Sequence, residues 1–276
     1  TFWSRDDDET GSESKSSNRT IYNASLAVNS KLSRVYDVNV RNWEKIRHEI
    51  KPEIIYSYIP NVSAKDVPDY YLPGSSPFTM PVASLSGDVL TEENAVAWSL
   101  TNSLTARVRD KTGASAYLEF LRLKLFQTYD INEARRDENL QNAERRPFSD
   151  LGIEFTLTPH PFISFTAKNL YSFYDGWRQT NYDLHLKDGR GDIMTVGYRY
   201  TLDSTEQINF DLRAVITKNI DGILILRRDE FHSRTIENTV GLVYRKQCWS
   251  MGLGYTKTDD DERFMFRVSL AGLGNM

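Results

Sequence analysis

The chain has 276 residues with 34 Lys+Arg, 38 Asp+Glu and a formal net charge of −4, a balance that gives no pointer to nucleic acid. Mean hydropathy is −0.52, and no run approaches the roughly 18 apolar residues of a membrane-spanning helix, which excludes a helical membrane protein. A transmembrane β-barrel stays open, because its strands alternate apolar and polar residues and dilute the hydropathy signal. The 13 Phe, 15 Tyr and 5 Trp, against only 15 Gly and 9 Pro, lean that way.

Thr1-Phe2-Trp3-Ser4 has no initiator Met, charged n-region or apolar h-region, so the expectation is a mature product or a fragment. Residues 1–19, rich in Asp, Ser and Glu, are expected to form a polar extracellular segment, and residues 20–276 the barrel portion. From there period-2 alternation dominates and helical periodicity is nearly absent. Strands are predicted at 20–37, 44–58, 95–109, 115–129, 150–158, 162–174, 178–187, 192–202, 206–217, 220–229, 233–246, 248–258 and 263–272. In 95–109, Val96, Trp98, Leu100, Leu104, Ala106 and Val108 oppose Ser99, Thr101, Ser103, Thr105, Arg107 and Arg109. In 206–217, Ile208, Phe210, Leu212, Ala214 and Ile216 oppose Gln207, Asn209, Asp211 and Arg213. In the last segment, Phe264, Phe266, Val268 and Leu270 oppose Arg263, Arg267 and Ser269.

Many of these segments exceed the usual five or six residues of soluble strands and reach the roughly 9–11 that a tilted strand needs to cross a bilayer. Connections support the same architecture, since outer-membrane barrels have short periplasmic turns and longer outer loops. Counted back from the C-terminus, alternate connections are short, and the two longest, 59–94 and 130–149, fall together on the other side. The fold class is therefore read as all-β, an antiparallel transmembrane β-barrel of about 13 strands. An odd number suggests either a miscount or a barrel continued elsewhere, because bacterial single-chain barrels use even numbers.

Four pieces of sequence in order resemble a known family. They are Arg47-His48-Glu49-Ile50-Lys51-Pro52-Glu53-Ile54-Ile55-Tyr56-Ser57-Tyr58-Ile59-Pro60, then Ser99-Leu100-Thr101-Asn102-Ser103-Leu104, then Val243-Tyr244-Arg245-Lys246-Gln247-Cys248-Trp249, and finally Leu270-Ala271-Gly272-Leu273-Gly274. Together they resemble the C-terminal half of the barrel of LptD, the outer-membrane lipopolysaccharide-assembly family. The resemblance implies membership of a larger barrel of about 26 strands, at the upper end of the common range. It also implies transport of lipopolysaccharide and its insertion into the outer leaflet of a Gram-negative outer membrane, through a barrel lumen and a lateral gate. Implied partners are lipopolysaccharide, a plug lipoprotein LptE, outer-membrane lipid, and a periplasmic Lpt bridge reached through a further N-terminal domain. On this resemblance the last strand, with Arg263, Phe264, Phe266, Arg267, Val268 and Leu270, would be one lip of the gate. Cys248, the sole cysteine, would match a family cysteine that forms an inter-domain disulfide, although many members have two adjacent cysteines where this chain has Gln247 and Cys248. Arg107, Arg109, Lys168, Arg199, Asp211, Arg213 and Glu237 are assigned inward, as a hydrated lumen would require.

Other readings remain beside this one. A different outer-membrane channel, porin-like or substrate-specific, would share the strand pattern. A soluble saccharide-binding β-protein would place the same aromatic residues in a core. No catalytic or metal site is expected: His48, His160, His185 and His232 are scattered without ligand spacing, and no nucleophile has a recognisable context. No cofactor is implied. In Gly189-Arg190-Gly191-Asp192 the glycines are read as turn residues supplying positive φ.

Overall fold

Val, Ile, Thr, Tyr and Phe populate the alternating segments, and such side chains pack well on a pleated surface. In the computed structural model those segments form strands, the first of them as two. The structure describes residues 2–4, 16–18, 22–40, 42–60, 92–109, 113–137 and 144–270. Two short strands, β1 (Phe2–Ser4) and β2 (Ser16–Asn18), form a separate antiparallel pair. The rest are β3 (Ala24–Asn29), β4 (Leu32–Val40), β5 (Trp43–Ile59), β6 (Glu93–Arg109), β7 (Ser115–Asp130), β8 (Leu151–His160), β9 (Ile163–Ser172) and β10 (Gly176–Lys187). They continue with β11 (Ile193–Thr201), β12 (Thr205–Thr217), β13 (Ile220–Asp229), β14 (Arg234–Arg245), β15 (Trp249–Lys257) and β16 (Glu262–Leu270). A five-residue helix, α1 (Ile131–Arg135), follows β7. The remainder of 1–19, most of the 59–94 connection, residues 138–143 and the terminal 271–276 lie outside the described residues.

The main sheet has 14 strands in the order β16 back to β5 and then β3, with β4 also paired to β5. The count exceeds the expected 13 because the first predicted strand, 20–37, is split. The break falls opposite Pro52 of β5, where Ser30 N–H donates to the Pro52 carbonyl at 3.1 Å and Pro52 has no N–H to return. The order is open: the far edges of β16 and β3 pair with no other described strand.

Two compact units divide the chain. The first takes residues 1–32, 51–100 and 125–151. Here β3 lies antiparallel to β5, with Ala24 opposite Tyr58 and Asn29 opposite Glu53. Tyr56 Oη donates to Asn94 Oδ1, and Asn94 Nδ2 donates to Asn132 Oδ1, both at 3.2 Å, so residues flanking the two long connections stand side by side. Asp130 caps α1 by accepting from Glu133 N–H at 3.0 Å.

The second unit takes residues 33–50, 101–124 and 152–276. From β9 to β16 each strand pairs antiparallel with its sequence neighbour. Local chemistry fixes the turns. Asp188 Oδ1 accepts from the backbone N–H groups of Arg190, Gly191 and Asp192 at 2.8–2.9 Å, and Gly191 takes the positive φ (100°) that the turn needs. Thr217 Oγ1 accepts from Asn219 and Ile220 N–H to hold the next turn on that side.

Burial across this sheet is inverted relative to a soluble protein. Side chains hidden from solvent include Asp221 (2% exposed), Thr256 (1%) and Ser172 (2%), while Phe264 (85%), Phe266 (64%) and Leu253 (56%) stand in the open. Strand parity explains the split: Ile208, Leu226, Val240, Leu242, Leu253 and Phe266 share one face and Asp211, Arg213, Asp221, Arg227, Glu237 and Arg267 the other, while Arg228, Lys257 and Glu262 fall on the apolar parity at strand ends. Phe155, Phe165, Tyr182 and Tyr198 stack in a row across β8–β11 with ring centroids 6.0–6.2 Å apart.

Candidate functional site: the polar face and the terminal strand

The polar face is built from alternate residues of β9 to β16, brought into rows by the register. Lys168 of β9 stands opposite Asn181 of β10. Asp183 Oδ1 accepts from Arg199 Nη2 at 2.6 Å, and Arg199 Nη1 also donates to the Tyr182 carbonyl at 2.9 Å. Two strands further, on β13, Arg227 bridges two acids, with Nη1 2.6 Å from Glu237 Oε2 and Nη2 3.4 Å from Asp211 Oδ1. Glu237 Oε1 in turn accepts from Thr239 Oγ1 at 2.8 Å, and Thr239 and Thr256 share a hydroxyl hydrogen bond at 2.7 Å.

The centre of the charge network is Asp221. Its Oδ2 accepts from Arg213 Nε at 2.8 Å and pairs with Arg245 as well, so one buried carboxylate holds two guanidinium groups that are each about half exposed. A buried acid is tolerated only with such partners. At the 33–50 and 101–124 portions of the same unit, Arg107 lies 3.2 Å from Glu44 and donates to Ser115 Oγ at 3.1 Å, and Arg109 pairs with the same Glu44.

Of the residues singled out by sequence, Arg199, Asp211, Arg213 and Glu237 therefore enter one laced surface on β10–β14, and Arg107 and Arg109 form a second pair around Glu44. The acids and cations that complete these pairs, Asp183, Asp221, Arg227, Arg245 and Glu44, were not singled out. Their parity was readable, but which one meets which depends on register.

Arg263, Phe264, Phe266, Arg267, Val268 and Leu270 all lie on β16, and every one is exposed. Their inner neighbour is β15, where Gly252 faces Arg267 and Tyr255 faces Phe264, the two rings 4.8 Å apart. Cys248 sits with Gln247 in the two-residue loop closed by Lys246 N–H donating to the Trp249 carbonyl at 2.8 Å, and its thiol is free and exposed. Among the described residues no cluster of His, Cys, Asp or Glu has the arrangement of a metal site.

Charged groups outside the strands are held firmly. Glu133 receives Arg136 Nε and Nη2 at 2.8 and 2.9 Å and Arg146 N–H at 3.0 Å, contacts that pull its carboxyl down to about 2. Asp188 is drawn down to about 2 chiefly by the Asp192 N–H, with Arg190 adding to it.

An antiparallel meander with one apolar exposed face and one laced polar face is the frame on which the sequence matches can be placed. Residues 2–227 match the family LptD, LPS transport system D. The chain belongs to the LptD family. Among its relatives, the LPS-assembly protein LptD of Burkholderia lata is 23% identical over 270 residues, covering 88% of this chain and 33% of the relative. That of Paraburkholderia xenovorans is 23% identical over 263 residues with the same shares, and that of Nitrosococcus oceani 21% over 259, covering 34% of the relative. The chain thus spans about a third of the length of these LptD proteins. Members of the family are transport and assembly proteins rather than enzymes, and the all-β sheet agrees with their barrel.

Proposed function

We propose that this chain forms part of an outer-membrane barrel that transports lipopolysaccharide and inserts it into the outer leaflet of a Gram-negative envelope. The observation that carries the reading is the inverted sheet of an LptD-family chain: apolar side chains exposed on one face, and paired charges half hidden on the other. Lipid would cover the first face and a hydrated, phosphorylated saccharide would pass along the second. Backbone groups in hydrocarbon must be satisfied within the protein, so the open edges of β16 and β3 call for further strands. A complete barrel of about 26 strands would supply them. In that barrel β16 is one lip of a lateral gate, with Arg263, Phe264, Phe266, Arg267, Val268 and Leu270 along it. Arg107, Arg109, Lys168, Arg199, Asp211, Arg213 and Glu237 face the lumen, which the lipoprotein LptE plugs. Cys248, exposed at a hairpin tip, pairs with a cysteine of an N-terminal domain that docks on the Lpt bridge. Residues 1–19 and the two long connections face the cell exterior.

Conditional depletion of the full-length protein tests the reading. Newly made lipopolysaccharide should then fail to reach the cell surface and accumulate at the inner membrane, as followed by antibody labelling of intact cells and membrane fractionation. Undiminished surface delivery after depletion would remove the transport function.

A further inference from the structure

The apolar face differs at its two ends across β12–β16. Toward the connections 230–233 and 258–261 its cations carry acids: Arg228 Nε lies 2.8 Å from Glu230 Oε1, and Lys257 Nζ 2.8 Å from Glu262 Oε1. Toward the opposite connections, 218–219 and 246–248, it carries lysines and rings instead. Lys246 and Trp249 stand opposite one another across the β14–β15 hairpin, on the face of Tyr244, Met251 and Leu270. The Tyr244 and Trp249 rings are 5.5 Å apart, and Lys246 Nζ lies 5.8 Å from the centre of the Tyr244 ring, within cation–π range.

A second lysine is close by. Arg245 N–H donates to the Asn219 carbonyl at 2.7 Å, which sets the tip bearing Lys218 beside the tip bearing Lys246, and both lysines are exposed. In the sequence of these two hairpins, residues 214–223 and 242–251, the one acid is Asp221. It is turned to the polar face, where it holds Arg213 and Arg245.

Beyond the rings the same apolar face is hollowed. A groove of about 430 Å³ runs over β14–β16, with Leu242, Leu253, Phe264 and Phe266 along it. From Phe264 in the groove to Leu270 beside Trp249 is six residues of β16. Six strand residues cover about 20 Å, and at the roughly 40° tilt of a barrel strand they rise about 15 Å. That is one leaflet's share of a hydrocarbon core about 30 Å thick.

We infer that this strip holds one anionic glycerophospholipid of the inner leaflet, with an acyl chain in the groove and the phosphate at Lys246, beside Lys218. The inference rests on the outer-membrane reading above and concerns the lipid-covered wall, away from the saccharide path. The ligand must be an amphiphile, because the groove is apolar and the end of the strip is cationic. Lipid tails are as apolar as leucine, so the groove orders a chain without choosing it, and choice falls to the lysines. Basic residues at a bilayer surface attract acidic lipid. Tyr244 and Trp249, apolar in body and polar at the tip, belong at the level between chain and phosphate. A phosphorylated glycolipid of the outer leaflet would meet the opposite rim, where Glu230 and Glu262 already neutralise the cations. An acidic protein segment would satisfy the lysines and leave the groove unused.

The test uses the full-length protein in vesicles of equal parts phosphatidylcholine and phosphatidylglycerol. A photo-reactive phenylalanine analogue is placed at Leu253 or, for comparison elsewhere on the apolar face, at Ile208. Mass spectrometry of the adducts after irradiation should find phosphatidylglycerol about tenfold over phosphatidylcholine at Leu253, equivalent to 1.4 kcal/mol, and near parity at Ile208. Lys246→Gln should bring Leu253 to parity, and Lys246→Arg should keep the preference. Parity at Leu253 without the lysine substitution, or a preference that survives Lys246→Gln, would overturn the site and leave the barrel in its membrane. Protein adducts at Leu253 while Ile208 labels lipid would do the same. With lipopolysaccharide added to the vesicles, glycolipid adducts replacing phosphatidylglycerol at Leu253 would give the strip to the other leaflet's lipid and overturn the assignment. Lipid adducts at neither position would overturn the outer-membrane reading as well.

Discussion

Strands β10–β13 and strands β14–β16 share one alternating pattern, yet their polar faces are built to opposite ends. In the first region acids and arginines close on each other: Asp183 with Arg199, Asp211 with Arg227, and Asp221 with Arg213. In the second, Glu237 and Arg245 of β14 still pair back to β13, but beyond them Gly241, Gly252 and Gly254 replace side chains and Met265 stands in a polar position. A polar face whose charges are satisfied internally is a wall past which a hydrated solute can move without being held. One built of glycine leaves open space beside the backbone instead, since a Cβ on Gly252 or Gly254 would meet nothing nearer than 3.9 Å. Charge content alone would not separate the two.

The largest test of this contrast is Asp221→Ala. It leaves Arg213 and Arg245 converging on a missing carboxylate, and should lower unfolding free energy by about 2–3 kcal/mol in urea titrations of the full-length protein in vesicles. Arg263→Ala in the same assay should move it by less than about 0.5 kcal/mol, as expected for an exposed, unpartnered cation. Equal costs would erase the distinction between the two regions. A finer comparison lies within the second region. Gly241→Ala should cost about 1 kcal/mol because its Cβ crowds a carbonyl at 3.1 Å, whereas Gly254→Ala should be neutral or stabilising by about 0.5 kcal/mol. A penalty at Gly254 matching that at Gly241 would mean that the fold requires both glycines.

The smallest effect lies at the short helix after β7. Glu133 titrates near 2 instead of 4.5 because Arg136 and Arg146 favour its ionised form. Its contribution to local order is therefore complete above the ordinary carboxylate value and is lost as pH falls through about 2. Hydrogen-exchange mass spectrometry of peptides spanning 129–148 should show protection persisting at about pH 3 and absent in Glu133→Gln at every pH. Protection lost already near pH 4.5 would show that the carboxyl is not held down.

Strands and their faces were legible in the sequence because one face is exposed and apolar along most strands, so Ile208 to Ala214 alternates cleanly and Phe264 to Leu270 does so but for Met265. The split of 20–37 was not, since its cause is Pro52 on the neighbouring strand. Nor were the pairings: Arg213 and Asp211 were visible as polar residues, but Asp221 and Arg227 become their partners only through the β12–β13 register, which shifts between Val215 and Thr217. The apolar interruption of the polar face at Ile223 and Ile225 had a readable trace in Ile223-Leu224-Ile225-Leu226, a run apolar on both parities. Alternation suppresses such a signal because it asks only which face is oily.

The meander has a kinetic consequence. From β9 to β16 every strand docks on the strand synthesised just before it, across connections as short as the two residues 218–219, so each addition closes a small loop at little entropic cost. The sheet can accrete in the order of synthesis, one hairpin at a time. Only a pairing between its two outermost edges would be distant in sequence, and ring closure is therefore the step at which assembly would wait for help.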